Sequence, residues 1–205
     1  MCGRYYFDID EAELKKIVDD VQKNLQESFN TGEIFPTNSA PIIIERESKF
    51  SPIIGRWGFP KWDNKGVVIN ARVEGLSEKS MFKNLVKSNR CIIPASSFFE
   101  WKRSSSGVKL KDKYMFKRPD SILYMAGLYN TFNDEREQLS MFDDKNEKIS
   151  YVIITTDANT YMSSIHDRMP LIFTKHEMEK WLRGENINTL LHDNHVELTH
   201  AVISN

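Results

Sequence analysis

The feature that most restricts this chain is a succession of short apolar runs, rich in β-branched and aromatic residues, with no regular alternation of strand and helix. The runs are Tyr5-Tyr6-Phe7, Ile42-Ile43-Ile44, Val67-Val68-Ile69, Arg90-Cys91-Ile92-Ile93-Pro94, Ile122 to Tyr129, Tyr151-Val152-Ile153-Ile154-Thr155-Thr156, Leu171-Ile172-Phe173 and Glu197 to Val202. Each has strand length and strand composition. Helical spacing is confined to residues 11–26, where Leu14, Ile17, Val18, Val21 and Leu25 recur behind a cap at Asp8 or Asp10, and to short stretches at 77–87 and 175–183. Many strands, few helices and no βαβ repeat predict an α+β fold: a mainly antiparallel, barrel-like sheet with peripheral helices. At 205 residues the chain fits one domain spanning 1–205, large enough to bury roughly 70–75% of its unfolded surface without staples.

Between the runs, residues 31–41 carry two prolines, a glycine and an asparagine and read as a loop. Ser104-Ser105-Ser106-Gly107 reads as a polar hairpin turn, and the charged stretch 133–148 as an exposed loop. If the chain stays extended through Asn70-Ala71-Arg72-Val73-Glu74, period-two alternation puts Asn70, Arg72 and Glu74 on one surface.

Hydrophobic residues make up 40% and charged residues 28%, and no stretch reaches the roughly 18 consecutive apolar residues of a membrane span. The first residues lack the basic and apolar regions of a signal peptide. Two cysteines, Cys2 and Cys91, form neither a disulfide framework nor a zinc ribbon. A cytoplasmic, monomeric protein without a membrane partner is expected, nucleoid-associated if it binds DNA. The formal net charge is −1, from 28 basic and 29 acidic residues, so nucleic-acid binding would need a local basic patch. His192 and His195 are too weak a pair to suggest a metal, and no metal or organic cofactor is expected.

Chemistry concentrates at Met1-Cys2-Gly3-Arg4. Cys2 is small enough for Met1 to be removed before it, which would leave an α-amine and a thiol on one residue. An α-amine has a pKa of roughly 7.7–8.0, so a useful fraction is unprotonated near neutrality. The amine condenses with an aldehyde to an imine, the thiol adds to the imine carbon, and a thiazolidine closes. Intramolecular attack of this kind reaches effective molarities on the order of 10⁵–10⁸ M when well oriented.

Glu100 lies between Phe98-Phe99 and Trp101. It is either a desolvated carboxyl with a raised pKa, suited to proton transfer, or a solvent-facing residue on an amphipathic strand. His166, between two strand signals, is either a positioned proton donor or an imidazole bonded to backbone. Arg4, Arg72 and Arg168 fall inside the same candidate segments and could converge on phosphates, with Lys61, Lys102 and Arg103 nearby. Trp62, between Lys61 and Asp63, and Trp101 offer faces on which unpaired bases could stack, whereas Trp57 and Cys91 read as core.

Met1-Cys2-Gly3-Arg4, Trp57-Gly58-Phe59, Asn70-Ala71-Arg72-Val73-Glu74, Met81-Phe82, Phe99-Glu100-Trp101 and Ile165-His166-Asp167-Arg168-Met169-Pro170 together resemble the SOS response-associated peptidase family, the abasic-site processing proteins. The resemblance implies a barrel-like α+β fold with a DNA groove. It also implies a covalent trap for the ring-opened aldehyde of an abasic site in single-stranded DNA. By this resemblance Cys2 is the nucleophile, freed by self-catalysed loss of Met1. Asn70 holds the Cys2 end and the sugar, Glu100 shuttles protons, and His166 acts at the sugar oxygen and helps the crosslink reverse. Arg4, Arg72 and Arg168 grip phosphates, and Pro36, Trp62 and Trp101 complete the DNA contact. Phe35-Pro36-Thr37-Asn38 keeps the family's Pro-Thr, and Lys61-Trp62 stands where many members have two aromatics. The alternatives are a non-catalytic single-strand DNA-binding module and an N-terminal-nucleophile amidohydrolase.

Overall fold

The computed structural model describes residues 2–24, 28–63, 65–103, 109–133, 147–192 and 196–203. In chain order the elements are β1 (Tyr5–Phe7), α1 (Ala12–Asn24), β2 (Gly32–Ile34), β3 (Ser39–Arg46), β4 (Lys49–Trp57), β5 (Phe59–Pro60), β6 (Val67–Val68) and β7 (Asn70–Arg72). A 3-10 turn at Val73–Gly75 precedes α2 (Leu85–Ser88), β8 (Arg90–Ala95), β9 (Ser97–Arg103), β10 (Lys109–Lys117), β11 (Leu123–Asn133) and β12 (Glu147–Asp157). The chain ends with β13 (Arg168–Pro170), β14 (Ile172–Phe173), α3 (Lys175–Leu182), α4 (Ile187–His192) and β15 (Thr199–Ile203). The α+β class and the dominance of antiparallel pairing are as the sequence predicts.

The centre is a closed ring. β4 pairs with β3, β3 with β8, β8 with β11, β11 with β12, and β12 returns to β4 in the single parallel step of the circuit. β12 can close it because Tyr151-Val152-Ile153-Ile154 is buried on both faces, as a continuous apolar run requires. Close approach inside the ring demands small residues: a Cβ at Gly127 would lie 2.3 Å from Ile93 Cδ1 and 2.7 Å from the Val152 carbonyl. Three prolines sit in these strands, each where the register pairs one flank alone. Pro41 and Pro52 are matched only across the β3–β4 ladder, and Pro94 only to β11, so no ladder lacks a donor it needs.

A second sheet, in the order β15-β10-β9-β1-β2, packs on the ring. Its inner face presents Tyr5, Phe7, Ile34, Phe98 and Phe116, all fully buried. Tyr5 bridges the layers: its hydroxyl lies 2.7 Å from that of Tyr151, and its ring is 5.3 Å from that of Trp57. α1 buries Leu14, Ile17 and Val21, and Asp8 Oδ1 accepts from the Asp10 amide just ahead of it. α3 starts with a reciprocal cap between Thr174 and Glu177. Among the described residues, no helix is long and apolar enough to cross a membrane.

Several local expectations are corrected. Residues 31–41 are not a continuous loop, because backbone pairing to β1 and β4 draws Gly32–Ile34 and Ser39 onward into strands. The helix expected at 77–87 shrinks to Leu85–Ser88. The loop expected at 133–148 is strand at both ends, where Asn133 pairs with Glu147 and Phe132 with Lys148. Its middle, together with Leu25 and the hairpin turn at 104–107, lies outside the described residues.

Candidate active site

β1 and β9 run antiparallel with Tyr5 opposite Phe98, and the Phe99 amide donates to the Arg4 carbonyl at 2.9 Å. Continuing that register sets Gly3 opposite Glu100, which brings the carboxyl to the Cys2 end of the chain. Alternation along β9 points Glu100 inward with Phe98, while Phe99 and Trp101 take the other face.

Cys2 is fully buried, and its thiol donates a long bond, 3.7 Å, to the Arg4 carbonyl. Burial, and then the negative charge of Glu100, push the thiol pKa far above its ordinary value against the lowering effect of that hydrogen bond. The thiol is therefore neutral near pH 7. On its other side, Asn70 Nδ2 donates to the Cys2 carbonyl at 2.8 Å. Asn70 Oδ1 is buried and has no hydrogen-bond partner among the described residues. One end of this amide thus fixes Cys2, and the other can accept from a ligand.

Glu100 and His166 are 4% and 5% exposed, and Oε2 of one lies 4.0 Å from Nε2 of the other. That separation exceeds a hydrogen bond. His166 Nδ1 accepts from the Arg168 amide at 3.0 Å, although Asp167 Oδ1 is also 2.9 Å from it. The two contacts favour opposite tautomers. An amide nitrogen can only donate, and the Asp167 side chain is largely solvated, so we assign the neutral ring's proton to Nε2, facing Glu100. His166 sits in the turn between β12 and β13, whose ends are fixed by Asp157 pairing with Arg168 and by the Ala158 amide donating to the Asp167 carbonyl.

Asn70 and Arg72 do share one side of β7, with Ala71 buried between them. Glu74 does not join them, because the strand stops at Arg72. From the 3-10 turn it grips the buried Arg168 through both oxygens, at 2.7 and 3.0 Å. Asp157 and the Thr155 carbonyl take further Arg168 donors. A phosphate would have to compete with two carboxylates for this guanidinium, whereas Arg72 is exposed.

Arg4 donates to Glu33 at 3.1 Å and lies over the rings of Phe35 and Trp101, at 4.4 and 4.9 Å. Pro36 is half-buried in a tight turn closed by Asn38, which accepts from the Phe35 amide at 2.9 Å. The next residue, Thr37, is left-handed at φ 75°. Its carbonyl accepts from Arg56 Nε at 3.2 Å, and its amide donates to Trp57 at 2.8 Å, so surrounding bonds hold an unfavourable backbone. Trp62 is 95% exposed. Trp57 is core, with its indole donating to the Ile69 carbonyl. Sequence reasoning did not single out Glu33, Lys113 and Asp157. Each is an ordinary charged residue locally, and only strand pairing gives it a partner.

A buried cysteine whose carbonyl is held by the Asn70 amide, with a carboxyl–imidazole pair on the same closed barrel, sets the class. The chain belongs to the SOS response associated peptidase (SRAP) family, whose model matches residues 1–203. The chain is 36% identical over 197 residues to the abasic site processing protein YoqW of Bacillus subtilis, covering 91% of this chain and 82% of that protein. It is 28% identical over 192 residues to YedK of Escherichia coli, also named an abasic site processing protein, with coverages of 90% and 81%. A crystal structure of a Bacteroides thetaiotaomicron protein superposes with a TM-score of 0.75 at 25% identity, covering 100% of this chain and 93% of that one.

Proposed function

We propose that this protein processes abasic sites in DNA by trapping the lesion covalently in a single strand, shielding it during the DNA damage response. The observation that carries the reading is the Cys2 environment: a fully buried thiol influenced by Glu100, with its carbonyl fixed by Asn70. The names of the relatives support abasic-site processing, and the chemistry of an aminothiol supports the covalent form.

In this reading, hydrolysis of the Met1–Cys2 peptide bond consumes one water and frees the Cys2 amine. The amine attacks the C1 aldehyde of the ring-opened sugar, and the carbinolamine loses water to give an imine. The thiol then adds to the imine carbon, its proton passes to nitrogen, and the thiazolidine closes. Glu100 is the proton carrier, since a neutral thiol needs a base at the moment of attack. His166, with its proton on Nε2, donates to the sugar oxygen during ring opening, and the same pair returns protons when the crosslink reverses. Asn70 keeps Cys2 in register and accepts from a sugar hydroxyl through Oδ1.

Arg4 and Arg72 contact backbone phosphates, and Arg168 joins them by exchanging a carboxylate for a phosphate oxygen. Pro36 shapes the turn beneath the strand, while Trp62 and Trp101 stack neighbouring bases. The functional unit is a monomer, and no cofactor enters any step.

A denaturing gel tests the proposal. Met1-free protein is incubated with a single strand carrying one abasic site, with an intact strand, and as the Cys2→Ala variant. A heat-stable shifted band that needs both the lesion and Cys2 is expected. Its absence would leave a non-covalent DNA-binding module.

A further inference from the structure

One carboxylate, Glu33, holds two cations, and one of them, Arg4, lies two residues from Cys2 along the chain. Glu33 Oε1 accepts from Arg4 Nη1 at 3.1 Å and from Lys113 Nζ at 2.7 Å. Two strands and the segment ahead of a third supply the group: Glu33 from β2, Lys113 from β10 and Arg4 from the lead into β1. Aromatic faces pin both cations. Arg4 lies over Phe35 and Trp101, and the Lys113 ammonium sits 3.9 Å from the Phe99 ring centroid and 6.0 Å from that of Trp101. The β9–β10 register shifts between Lys109 and Lys113, so Lys113 meets Trp101 just where regular pairing resumes. Such irregularities re-aim side chains.

Burial separates the two cations. The Lys113 side chain is 11% exposed, whereas those of Arg4 and Glu33 are 32% and 28% exposed. A nearly buried ammonium on an aromatic ring depends on its carboxylate. Arg4 keeps donors beyond the one given to Glu33, since a guanidinium has five N–H groups. The three side chains together carry one net positive charge, enough for one phosphate. Without the carboxylate they would carry two and attract backbone phosphates regardless of any lesion.

We propose that Glu33 is a specificity-determining positioning residue: through one oxygen it fixes Arg4 and Lys113 near the nucleophile and cancels one of their charges, so the patch engages a single backbone phosphate instead of gripping undamaged strand. This inference rests on the DNA-processing reading above. It assigns Glu33 and Lys113 a role in discriminating damaged from intact strands.

The test compares wild type, Glu33→Gln, Glu33→Asp, Lys113→Met and Glu33→Gln/Lys113→Met. Two quantities are read: affinity for an undamaged single strand against salt, and crosslinking rate at saturating abasic strand. Glu33→Gln is expected to bind undamaged strand about threefold tighter or more, with a salt slope steeper by about 0.7 for the uncompensated charge. Its crosslinking should slow as Arg4 loses its anchor. Lys113→Met should flatten the slope by about 0.7, the double variant should return it to wild type, and Glu33→Asp should keep it there. An unchanged slope in Glu33→Gln, in protein that melts like wild type and crosslinks normally, would overturn the proposal. A double variant that keeps the steep slope would do the same. A wild type that neither binds nor crosslinks an abasic strand would instead overturn the functional reading, and this inference with it.

Discussion

Asn70 reaches across 68 residues of chain to donate its Nδ2–H to the carbonyl of Cys2 at 2.8 Å. The bond ties the first residues, which lie ahead of β1, to the strand β7 that pairs with β12 of the closed ring. Cys2 therefore takes its position from a strand anchored to the closed ring.

Removing that tie has a measurable consequence. A hydrogen bond of this kind contributes about 0.5–1.5 kcal/mol, so Asn70→Ala should slow crosslinking roughly two- to tenfold. Binding to intact strand should change little. Quenched time courses at saturating abasic DNA give the rate; an unaltered rate would mean that Cys2 is held by other contacts.

The alkaline side of the stability profile follows from buried acids. Burial raises the pKa values of Cys2 and Cys91 above their ordinary 9.0 and those of Tyr5 and Tyr151 above 10.0. Below about pH 8 these groups are neutral in the folded and unfolded chain alike, and contribute nothing to pH dependence. Above about pH 9 the unfolded chain releases protons that the folded chain keeps. Stability should then fall by up to ~1.4 kcal/mol per pH unit for each group. Urea midpoints should be level from about pH 7 to 8.5 and drop beyond, starting with the thiols. A level profile to about pH 10.5 would contradict this.

Two tryptophans should respond in opposite ways. Trp62 is 95% exposed, so Trp62→Ala should leave the melting temperature unchanged and weaken single-strand binding by about 1–3 kcal/mol through lost base stacking. Trp57 is fully buried with its indole bonded to Ile69, so Trp57→Ala should cost about 3–5 kcal/mol of stability. Normal binding by Trp62→Ala would remove Trp62 from the DNA path.

Closure of the ring can be tested at Gly127. Its added Cβ would press against Ile93 and the Val152 carbonyl, the latter a backbone atom with little freedom to yield. Gly127→Ala should destabilise by about 1–3 kcal/mol in urea unfolding. A neutral effect would mean that β11 and β12 can separate at little cost.

Legibility from sequence followed the range of the forces involved. β12 was plain because Tyr151 to Thr156 announces a strand buried on both faces, whatever its partners. The helix expected at 77–87 failed for a physical reason: residues 77–81 are exposed and only Phe82, Leu85 and Val86 meet the core, so the apolar face is too short to support several turns. Gly32 and Ser39 looked like loop because proline and glycine punctuate their neighbourhood, yet pairing to β1 and β4 outweighed local propensity. At the site, Cys2, Asn70, Glu100 and His166 could be named from motifs. The grip of Glu74 and Asp157 on Arg168 could not, since Glu74 stands 94 residues away and is brought in by an interrupted strand.

The most direct measurement of the central claim is mass spectrometry of the crosslinked product after digestion of both DNA and protein. The expected product is a peptide beginning at Cys2, without Met1, heavier by the abasic sugar remnant less one water. It should resist borohydride, because a thiazolidine holds both amine and thiol. A remnant mapped to a lysine, or to a peptide that retains Met1, or one that borohydride fixes as a reduced imine, would contradict the account.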